Sequence, residues 1–198
     1  MRYFISCETT YAFREGPDFS IKFDMISMPP RHRKLLTLAF LVRNGVVPHE
    51  ERHVLLGLKK RGFGIGKWNG FGGKVERTDT SIASAAVREI QEEANVQVSV
   101  EDLESRGVLL FTFEQSNEVM EVHVYVTEKF SGQPSESNEM KPQWYDVSRI
   151  PFNTMWADDR FWLPHVLSGK SVQGNFRFAA DEDSLLDYEL NVMTLTAV

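Results

Sequence analysis

Three glutamates are crowded into one short segment of the chain, REIQEEAN at residues 88–95. In a helix, Glu89, Glu92 and Glu93 would stand at positions i, i+3 and i+4, so their side chains would share one face. Like charges in this arrangement repel each other by roughly 0.2–0.5 kcal/mol per pair. A divalent cation removes that repulsion, and Mg2+ takes carboxylate oxygens, waters and substrate phosphates as ligands. The spacing therefore predicts a metal site, with a solvated helix face as the alternative.

A glycine-rich segment, RGFGIGKWNGFGGKV at residues 61–75, comes shortly before the acidic residues. Glycine allows a backbone to approach a ligand or a neighbouring element closely. A carbonyl oxygen of Gly72 or Gly73 would offer a cation one further ligand of the type that it prefers. We therefore expect the glycine-rich loop and the acidic helix to form one site, in which a metal neutralises phosphate charge and activates a water.

The elements that must position these residues can be predicted from the hydrophobic pattern. Apolar residues at helical spacing predict an amphipathic helix over 81–96, capped by Ser81 or Thr80. A second helix is expected from near Asp158 to Gly169. Strands are expected at 35–42, 53–60, 107–115, 118–130, 142–147, 172–178 and 185–193, with a hairpin turn at Ser116-Asn117. The fold class is α/β or α+β, an α/β/α sandwich with a mixed central sheet.

Length and composition bound the possible functions. The 198 residues suggest one domain over 35–198, preceded by an irregular extension over 1–34 that is partly ordered at best. The net charge of −6 argues against a nucleic acid polymer as partner, because phosphate backbones select clustered lysine and arginine. The single cysteine, Cys7, favours a reducing compartment. The longest apolar run, at 35–42, is too short to span a membrane, and the first residues do not resemble a secretory signal.

The segment GGKVERTDTSIASAAVREIQEEANV (72–96) resembles the Nudix box. That pattern runs glycine, five residues, glutamate, seven residues, Arg-Glu, an aliphatic, any residue, Glu-Glu, any residue, glycine, an aliphatic. The residues that match it are Gly73, Arg88, Glu89, Ile90, Glu92, Glu93 and Val96.

The chain departs from the pattern at three places. The span from Gly73 to Arg88 is one residue longer, Asp79 or Thr80 stands where the first glutamate is expected, and Asn95 replaces the last glycine. The last change is mild, because asparagine tolerates the left-handed conformation that ends helices.

The resemblance implies a Mg2+-dependent hydrolase, with Mn2+ as a substitute metal. Its implied metal ligands are Glu89, Glu92, Glu93, Glu139 and a backbone oxygen of Gly72 or Gly73. Glu93 would also polarise the attacking water, and Arg88 would orient the glutamates through charge-assisted hydrogen bonds. The alternative for Arg88 is a simple i,i+4 ion pair with Glu92, and both roles are compatible.

The flanking sequence indicates a substrate. The segments 54–75 and 136–164 resemble the eukaryotic Nudix subfamily that hydrolyses oxidised purine nucleoside triphosphates, and this similarity extends over roughly residues 35–191. The implied base pocket consists of Asn69, Trp156, Asp158 and Asp159. Thr37 and Lys59 match positions near the nucleotide, with Lys59 a phosphate or sugar contact. Pocket-wall positions are matched by Phe63, Phe111, Phe113, Met120, Met140 and Trp162.

The chemistry of these residue types suits a purine. Tryptophan offers a flat face for stacking, and asparagine offers both a donor and an acceptor. Two adjacent carboxylates share a titration, so one of them can donate while the other accepts. Each residue also has a plainer interpretation: Asp158-Asp159 as a helix N-cap, Trp156 as core, and Asn69 as a turn residue before Gly70.

The resulting hypothesis is an enzyme that converts 8-oxo-dGTP and 2-oxo-dATP to monophosphate and pyrophosphate, and so cleanses the nucleotide pool. The alternatives are a Nudix hydrolase of another nucleoside diphosphate derivative and a non-catalytic nucleotide-binding module. We expect a small-molecule substrate, no membrane partner, a monomer, and a cytoplasmic location with mitochondrion or nucleus as alternatives.

Overall fold

The computed structural model describes residues 4–11, 32–44 and 52–196. In those ranges nine strands form one mixed sheet: β1 Phe4–Tyr11, β2 His32–Arg43, β3 His53–Lys59, β4 Trp68–Asn69, β5 Glu104–Phe113, β6 Glu118–Thr127, β7 Met140–Asp146, β8 Ser171–Phe178 and β9 Leu185–Thr196. The strand order is β1-β9-β8-β5-β6-β2-β3-β4, and β7 pairs with β3. The β2–β6 and β5–β8 pairs are parallel and the others antiparallel, which confirms the predicted mixed sheet.

Two helices cover opposite faces of this sheet: α1 Ile82–Ala94 and α2 Asp159–Leu167. Along β2, Ala39 and Leu41 pack in the core under α1, whereas Phe40 and Val42 pack in the core under α2. This alternation follows from the two-residue period of a strand. The predicted three-layer sandwich is therefore confirmed. Short 3-10 turns occur at Val100–Asp102, Val147–Arg149 and Phe152–Thr154.

Local sequence explains where α1 begins and ends. Ser81, the first of the two predicted caps, accepts a hydrogen bond from the Ser84 N–H, and the Ser84 hydroxyl accepts one from the Ser81 N–H. These bonds satisfy backbone donors that a helix start leaves open. Asn95 ends the helix in the left-handed conformation, at φ 58° and ψ 32°, as predicted. On the buried face Ile90 is fully enclosed, and its replacement by alanine would lower the free energy of unfolding by about 2–5 kcal/mol.

Within the extension expected over 1–34, the described residues are not irregular but form strands. β1 pairs with β9 over its whole length, from Phe4 opposite Thr196 to Tyr11 opposite Glu189. β2 begins at His32, within the segment expected to be a linker, because His32 pairs with Glu118 of β6. Both strands are specified by distant partners, which local composition does not reveal. Residues 12–31 and 45–51 lie outside the described ranges. The domain boundary at residue 35 stays a prediction.

Candidate active site

The acidic face of α1 opens onto a cavity of about 1150 Å3. This acidic cavity is lined by every residue predicted to bind metal, namely Gly72, Glu89, Glu92, Glu93 and Glu139. The helix supplies three of them, and the loop before it and the residue before β7 supply the other two. The structure thus gathers the predicted residues, while their role as metal ligands stays a prediction.

Glu93 is the most enclosed of these carboxylates, with 2% of its surface exposed. Its Oε1 accepts a hydrogen bond from the Lys59 Nζ at 2.9 Å, and its Oε2 accepts one from the Gly72 N–H at 2.9 Å. Burial raises the pKa of Glu93, and the Lys59 ammonium partly opposes that rise. A fixed carboxylate with a raised pKa is suited to take a proton from a nearby water.

Arg88 holds the start of the acidic face together. Its Nε and Nη2 lie 3.1 Å from the two carboxylate oxygens of Asp79, and its Nη1 donates to Glu89 at 2.9 Å. Arg88 Nη2 also donates to the Lys74 carbonyl at 3.0 Å. The predicted contact between Arg88 and Glu92 is long, at 3.4 Å. Of the two candidates for the missing glutamate of the motif, Asp79 therefore occupies its place. Sequence reasoning had not assigned a role to Asp79.

The site offers the oxygen donors that a hard divalent cation prefers. Gly73 leaves room for the Glu89 carboxylate, because a Cβ at Gly73 would lie 2.4 Å from Glu89 Oε1. In the described ranges, however, no three His, Cys, Asp or Glu side chains converge closely enough to hold an ion. The carboxylates are paired with cations instead: Lys59 contacts both Glu93 and Glu139, and Arg61 also contacts Glu139. The donor types fit a metal, which would replace these ammonium and guanidinium partners.

A second cavity, of about 690 Å3, adjoins the first and is more apolar. All twelve residues predicted to bind substrate line this base cavity: Thr37, Lys59, Phe63, Asn69, Phe111, Phe113, Met120, Met140, Trp156, Asp158, Asp159 and Trp162. The two cavities share six lining residues, namely Lys59, Arg61, Gly72, Gly73, Lys74 and Glu139. A molecule with an apolar flat end and an anionic end would therefore fit across the junction.

Asp158 and Asp159 lie at the base cavity and are each only 2% exposed. Asp158 accepts a hydrogen bond from Trp162 Nε1 at 2.7 Å, and Asp159 accepts one from the Trp156 N–H at 3.1 Å. Burial raises the pKa of Asp158 to about 6, and burial together with the Asp158 charge raises the pKa of Asp159 well above its ordinary value. Asp158 stands at the N-cap position of α2 but makes no side-chain capping bond, because its carboxylate binds Trp162 instead.

The Trp156 ring forms part of an aromatic wall. Phe63 stacks on it with ring centres 4.8 Å apart, and Phe178 meets it edge-on at 6.4 Å. Lys67 lies over the same ring, with Nζ 4.9 Å from its centre. The face on which Phe63 stacks is therefore covered, which sequence reasoning did not anticipate. Lys67 and Phe178 were also missed, because nothing in their local sequence links them to Trp156.

Two smaller residues sit where a ligand could bind. Thr37 is 3% exposed, and within the described residues its buried hydroxyl has no hydrogen-bond partner. Burying a hydroxyl without a hydrogen-bond partner is costly, unless a ligand or a water supplies that partner. Asn69 lies in β4, and its Oδ1 accepts a hydrogen bond from the Gly70 N–H at 2.8 Å. Asn69 thus makes the local contact expected of a turn residue and also lines the base cavity.

Comparison with protein families matches the NUDIX domain over residues 40–166. The chain belongs to the Nudix family. It is 45% identical to a zebrafish protein named oxidized purine nucleoside triphosphate hydrolase over 158 residues, which cover 80% of this chain and 94% of that protein. A mouse protein of the same name is 45% identical over 141 residues, covering 71% and 88%.

Solved Nudix structures agree with the fold. The MutT protein of Bacillus halodurans is 26% identical, with a TM-score of 0.65, and the match covers 79% of this chain and 97% of that one. A MutT Nudix hydrolase of Burkholderia pseudomallei, 24% identical with a TM-score of 0.52 over 61% and 88% of the two chains, supports the fold alone. Nudix hydrolases generally use divalent metal ions, and their nucleotide substrates are small molecules. Across the described ranges, no helix of this Nudix protein is long and apolar enough to cross a membrane.

Proposed function

We propose that this protein hydrolyses oxidised purine nucleoside triphosphates, of the 8-oxo-dGTP and 2-oxo-dATP type, to the monophosphate and pyrophosphate. The observation that carries the proposal is the junction of the two cavities at Lys59, Gly72 and Glu139. A purine in the base cavity would leave its phosphates beside the acidic face of α1. The names of the zebrafish and mouse relatives support the same substrate class.

Base recognition rests on the buried Asp158–Asp159 pair. Because burial raises both pKa values and the Asp158 charge raises that of Asp159 further, one carboxyl stays protonated while the other ionises. The protonated group donates a hydrogen bond and the ionised one accepts, and exchange of the proton would let the pair read either oxidised guanine or oxidised adenine. Asn69 adds an amide, and the aromatic wall encloses the ring. Stacking on an aromatic side chain contributes about 1–3 kcal/mol per base.

Hydrolysis would take place beside Glu93. Gly72, Glu89, Glu92, Glu93 and Glu139 would hold Mg2+, with Mn2+ as a substitute. When bound, the metal would neutralise phosphate charge and make a water more acidic. Glu93 accepts the proton from the attacking water, which is directed at a phosphorus within the chain. Lys59, released from Glu93, binds a phosphate oxygen or the sugar. Arg88 keeps Glu89 in place through the hydrogen bond from its Nη1.

A substrate panel tests this function. We expect kcat/KM for 8-oxo-dGTP and 2-oxo-dATP to exceed that for dGTP and dATP, and EDTA to abolish pyrophosphate release. Faster hydrolysis of a nucleoside diphosphate sugar, a dinucleoside polyphosphate or a methylated purine triphosphate would favour another Nudix substrate instead. Nucleotide binding without pyrophosphate release in Mg2+ would favour a non-catalytic module.

The proton-exchange model of the base pocket has its own test. Asp159→Asn removes one ionisable group and fixes a donor in its place. We expect this variant to lose activity on one of the two oxidised purines much more than on the other. Equal losses on 8-oxo-dGTP and 2-oxo-dATP would contradict the exchange of a proton within the pair.

We further propose that the protein acts as a cytoplasmic monomer, with mitochondrion or nucleus as alternative locations. A monomer is compatible with the site, because both cavities are formed by residues of one chain. Sedimentation of the purified protein and microscopy of the tagged full chain test these two points.

A further inference from the structure

Lys67 occupies a fixed position at the end of the glycine-rich loop. Its N–H donates to the Gly64 carbonyl at 3.0 Å, and its carbonyl accepts from the Lys59 N–H at 2.9 Å. These two bonds close the loop between β3 and β4, so the backbone position of Lys67 is defined from both sides. The start of its side chain is therefore held close to the base cavity.

The far end of the Lys67 side chain is also held. Its ammonium nitrogen lies 2.5 Å from Asp183 Oδ1 and 4.9 Å from the centre of the Trp156 ring. Asp183 belongs to the turn between β8 and β9, where its N–H donates to Asp181 Oδ1 at 3.0 Å. Only 24% of the Lys67 side chain is exposed. A cation over an indole ring is attracted by the ring electrons, so both partners favour this placement.

The positive charge of Lys67 acts on both buried carboxyl groups of the base pocket. It lowers the pKa of Asp158 and of Asp159, against the larger rise that burial causes. The remaining groups acting on the pair are uncharged: Trp162 Nε1 on Asp158 and the Trp156 N–H on Asp159. Other charged side chains line the cavity and have to be considered in any pH effect: Lys34, Lys59, Arg61, Lys74 and Glu139. Of these, Lys59 and Arg61 are paired with Glu139.

We propose that Lys67 supports base recognition: its ammonium group, held between Asp183 and the Trp156 ring, places a positive charge beside the residue whose N–H binds Asp159. The Asp158–Asp159 pair then presents one donor and one acceptor to an oxidised purine. Lys67 acts through the pair and through the placement of Trp156, and it is therefore a positioning residue. The inference rests on the proposed function, because it assumes that an oxidised base is read by this pair.

The test compares wild type with Lys67→Met, which keeps the length of the side chain and removes its charge. We expect the acidic limb of the pH profile of kcat/KM, for both 8-oxo-dGTP and 2-oxo-dATP, to move to higher pH by about half to one unit. At a pH below the midpoint this corresponds to a roughly three- to tenfold loss. Lys67→Arg retains the charge and should restore the wild-type midpoint.

A second readout does not depend on turnover. Carbon-13 NMR of the side-chain carboxyl groups of aspartate should show the midpoint of the buried pair moving upward in Lys67→Met and staying in place in Lys67→Arg. Lys129→Met is the matched control, because it also breaks a Lys–Asp ion pair, with Asp102, but away from the base cavity. It should leave both profiles unchanged.

The outcomes separate this inference from the proposed function. A uniform loss of activity at every pH in Lys67→Met, with unchanged carboxyl midpoints, would mean that Lys67 only supports the loop and would overturn the inference. If Lys67→Met does not fold, Lys67→Gln provides the same comparison. A wild-type protein inactive on oxidised purine triphosphates would instead overturn the proposed function, while the NMR midpoints would still report the electrostatic effect of Lys67.

Discussion

Asp79 and Arg88 form a two-point ion pair across the start of the acidic helix, with Nε–Oδ1 and Nη2–Oδ2 distances of 3.1 Å. The Arg88 guanidinium lowers the pKa of Asp79 below its ordinary value. Counted from Gly73, Asp79 stands where the family pattern has its first glutamate, so the extra residue lies between Asp79 and Arg88. We infer that the longer loop compensates for the shorter aspartate side chain and lets its carboxylate reach the guanidinium.

This relationship predicts that loop length and side-chain length are coupled. Asp79→Glu alone, and deletion of Thr80 alone, should each disturb the ion pair and lower both the melting temperature and kcat. The combination of the two changes should recover most of both losses, because it restores the spacing of the family pattern. Differential scanning fluorimetry and turnover measurements on the three variants check this. Strictly additive losses in the double variant would show that the loop and the side chain do not compensate for each other.

Much of the fold could be predicted from local pattern. The α1 cap at Ser81, the left-handed Asn95 and the β5–β6 hairpin all follow from residues close together in sequence. β1 could not be predicted in this way, because its pairing partner β9 lies at the opposite end of the chain. The start of β2 at His32 could not be predicted either, because its pairing partner Glu118 lies far away in the sequence.

The candidate site divides along similar lines. The metal-binding and substrate-binding residues were predicted individually, and the structure places them around two adjoining cavities. Asp79 and Lys67 were not assigned, since their partners are decided by loop geometry. The stacking of Phe63 on Trp156 was hidden because it depends on how the glycine-rich loop folds back over the pocket. Residue types thus identified the chemistry, whereas tertiary contacts identified the supporting side chains.

Glu93→Gln should remove most of the activity. Glutamine can still accept the hydrogen bond of the Gly72 N–H, so the fold should persist, but it cannot take a proton from water. We expect kcat to fall by about 100-fold or more, the usual scale for loss of a general base. Glu101→Gln, an exposed change in a 3-10 turn, is the matched control and should keep wild-type turnover. Near-native kcat of Glu93→Gln in Mg2+ would remove Glu93 from the catalytic role.

Gly72 and Gly73 are predicted to respond differently to alanine. A Cβ at Gly72 would lie 2.0 Å from the Thr37 carbonyl oxygen, which is backbone of the central strand β2 and has little freedom to move. At Gly73 the added Cβ would meet the Glu89 carboxylate, the end of a flexible side chain. Gly72→Ala should therefore lower the melting temperature strongly. Gly73→Ala should melt close to wild type and still lose activity, because Glu89 is pushed from its place.

Thermal melts and metal titrations of the two glycine variants distinguish these effects. For Gly73→Ala we expect a higher Mg2+ concentration at half-maximal activity, as Glu89 is a predicted ligand. If Gly73→Ala showed unchanged metal dependence and unchanged kcat, the Glu89 carboxylate would not be part of the reacting site.

The buried Asp158–Asp159 pair predicts how stability changes with pH. The folded-state pKa of Asp158 is raised to about 6, above its ordinary value of 3.8, so between these values the folded state binds more protons than the unfolded state. The free energy of unfolding must then fall as pH rises from about 4 through 6, and Asp159 contributes in the same direction. Asp158→Asn keeps an acceptor for Trp162 and removes the titration. The free energy of unfolding of wild type should fall between about pH 4 and pH 8. In Asp158→Asn we expect this fall to be smaller by on the order of 1–3 kcal/mol.

Asp181 provides a control, because its pKa is shifted in the opposite direction to that of Asp158. Its pKa is lowered to about 2 by hydrogen bonds from Ser184 and from the N–H groups of the turn, so its contribution is present at neutral pH and lost as pH falls through that value. Asp181→Asn should therefore leave the fall in stability between about pH 4 and pH 6 unchanged, because that fall belongs to the buried pair. Urea denaturation of the three proteins across this range makes the comparison. An Asp158→Asn curve parallel to that of wild type would mean that Asp158 ionises at its ordinary pKa and does not hold a proton for base recognition.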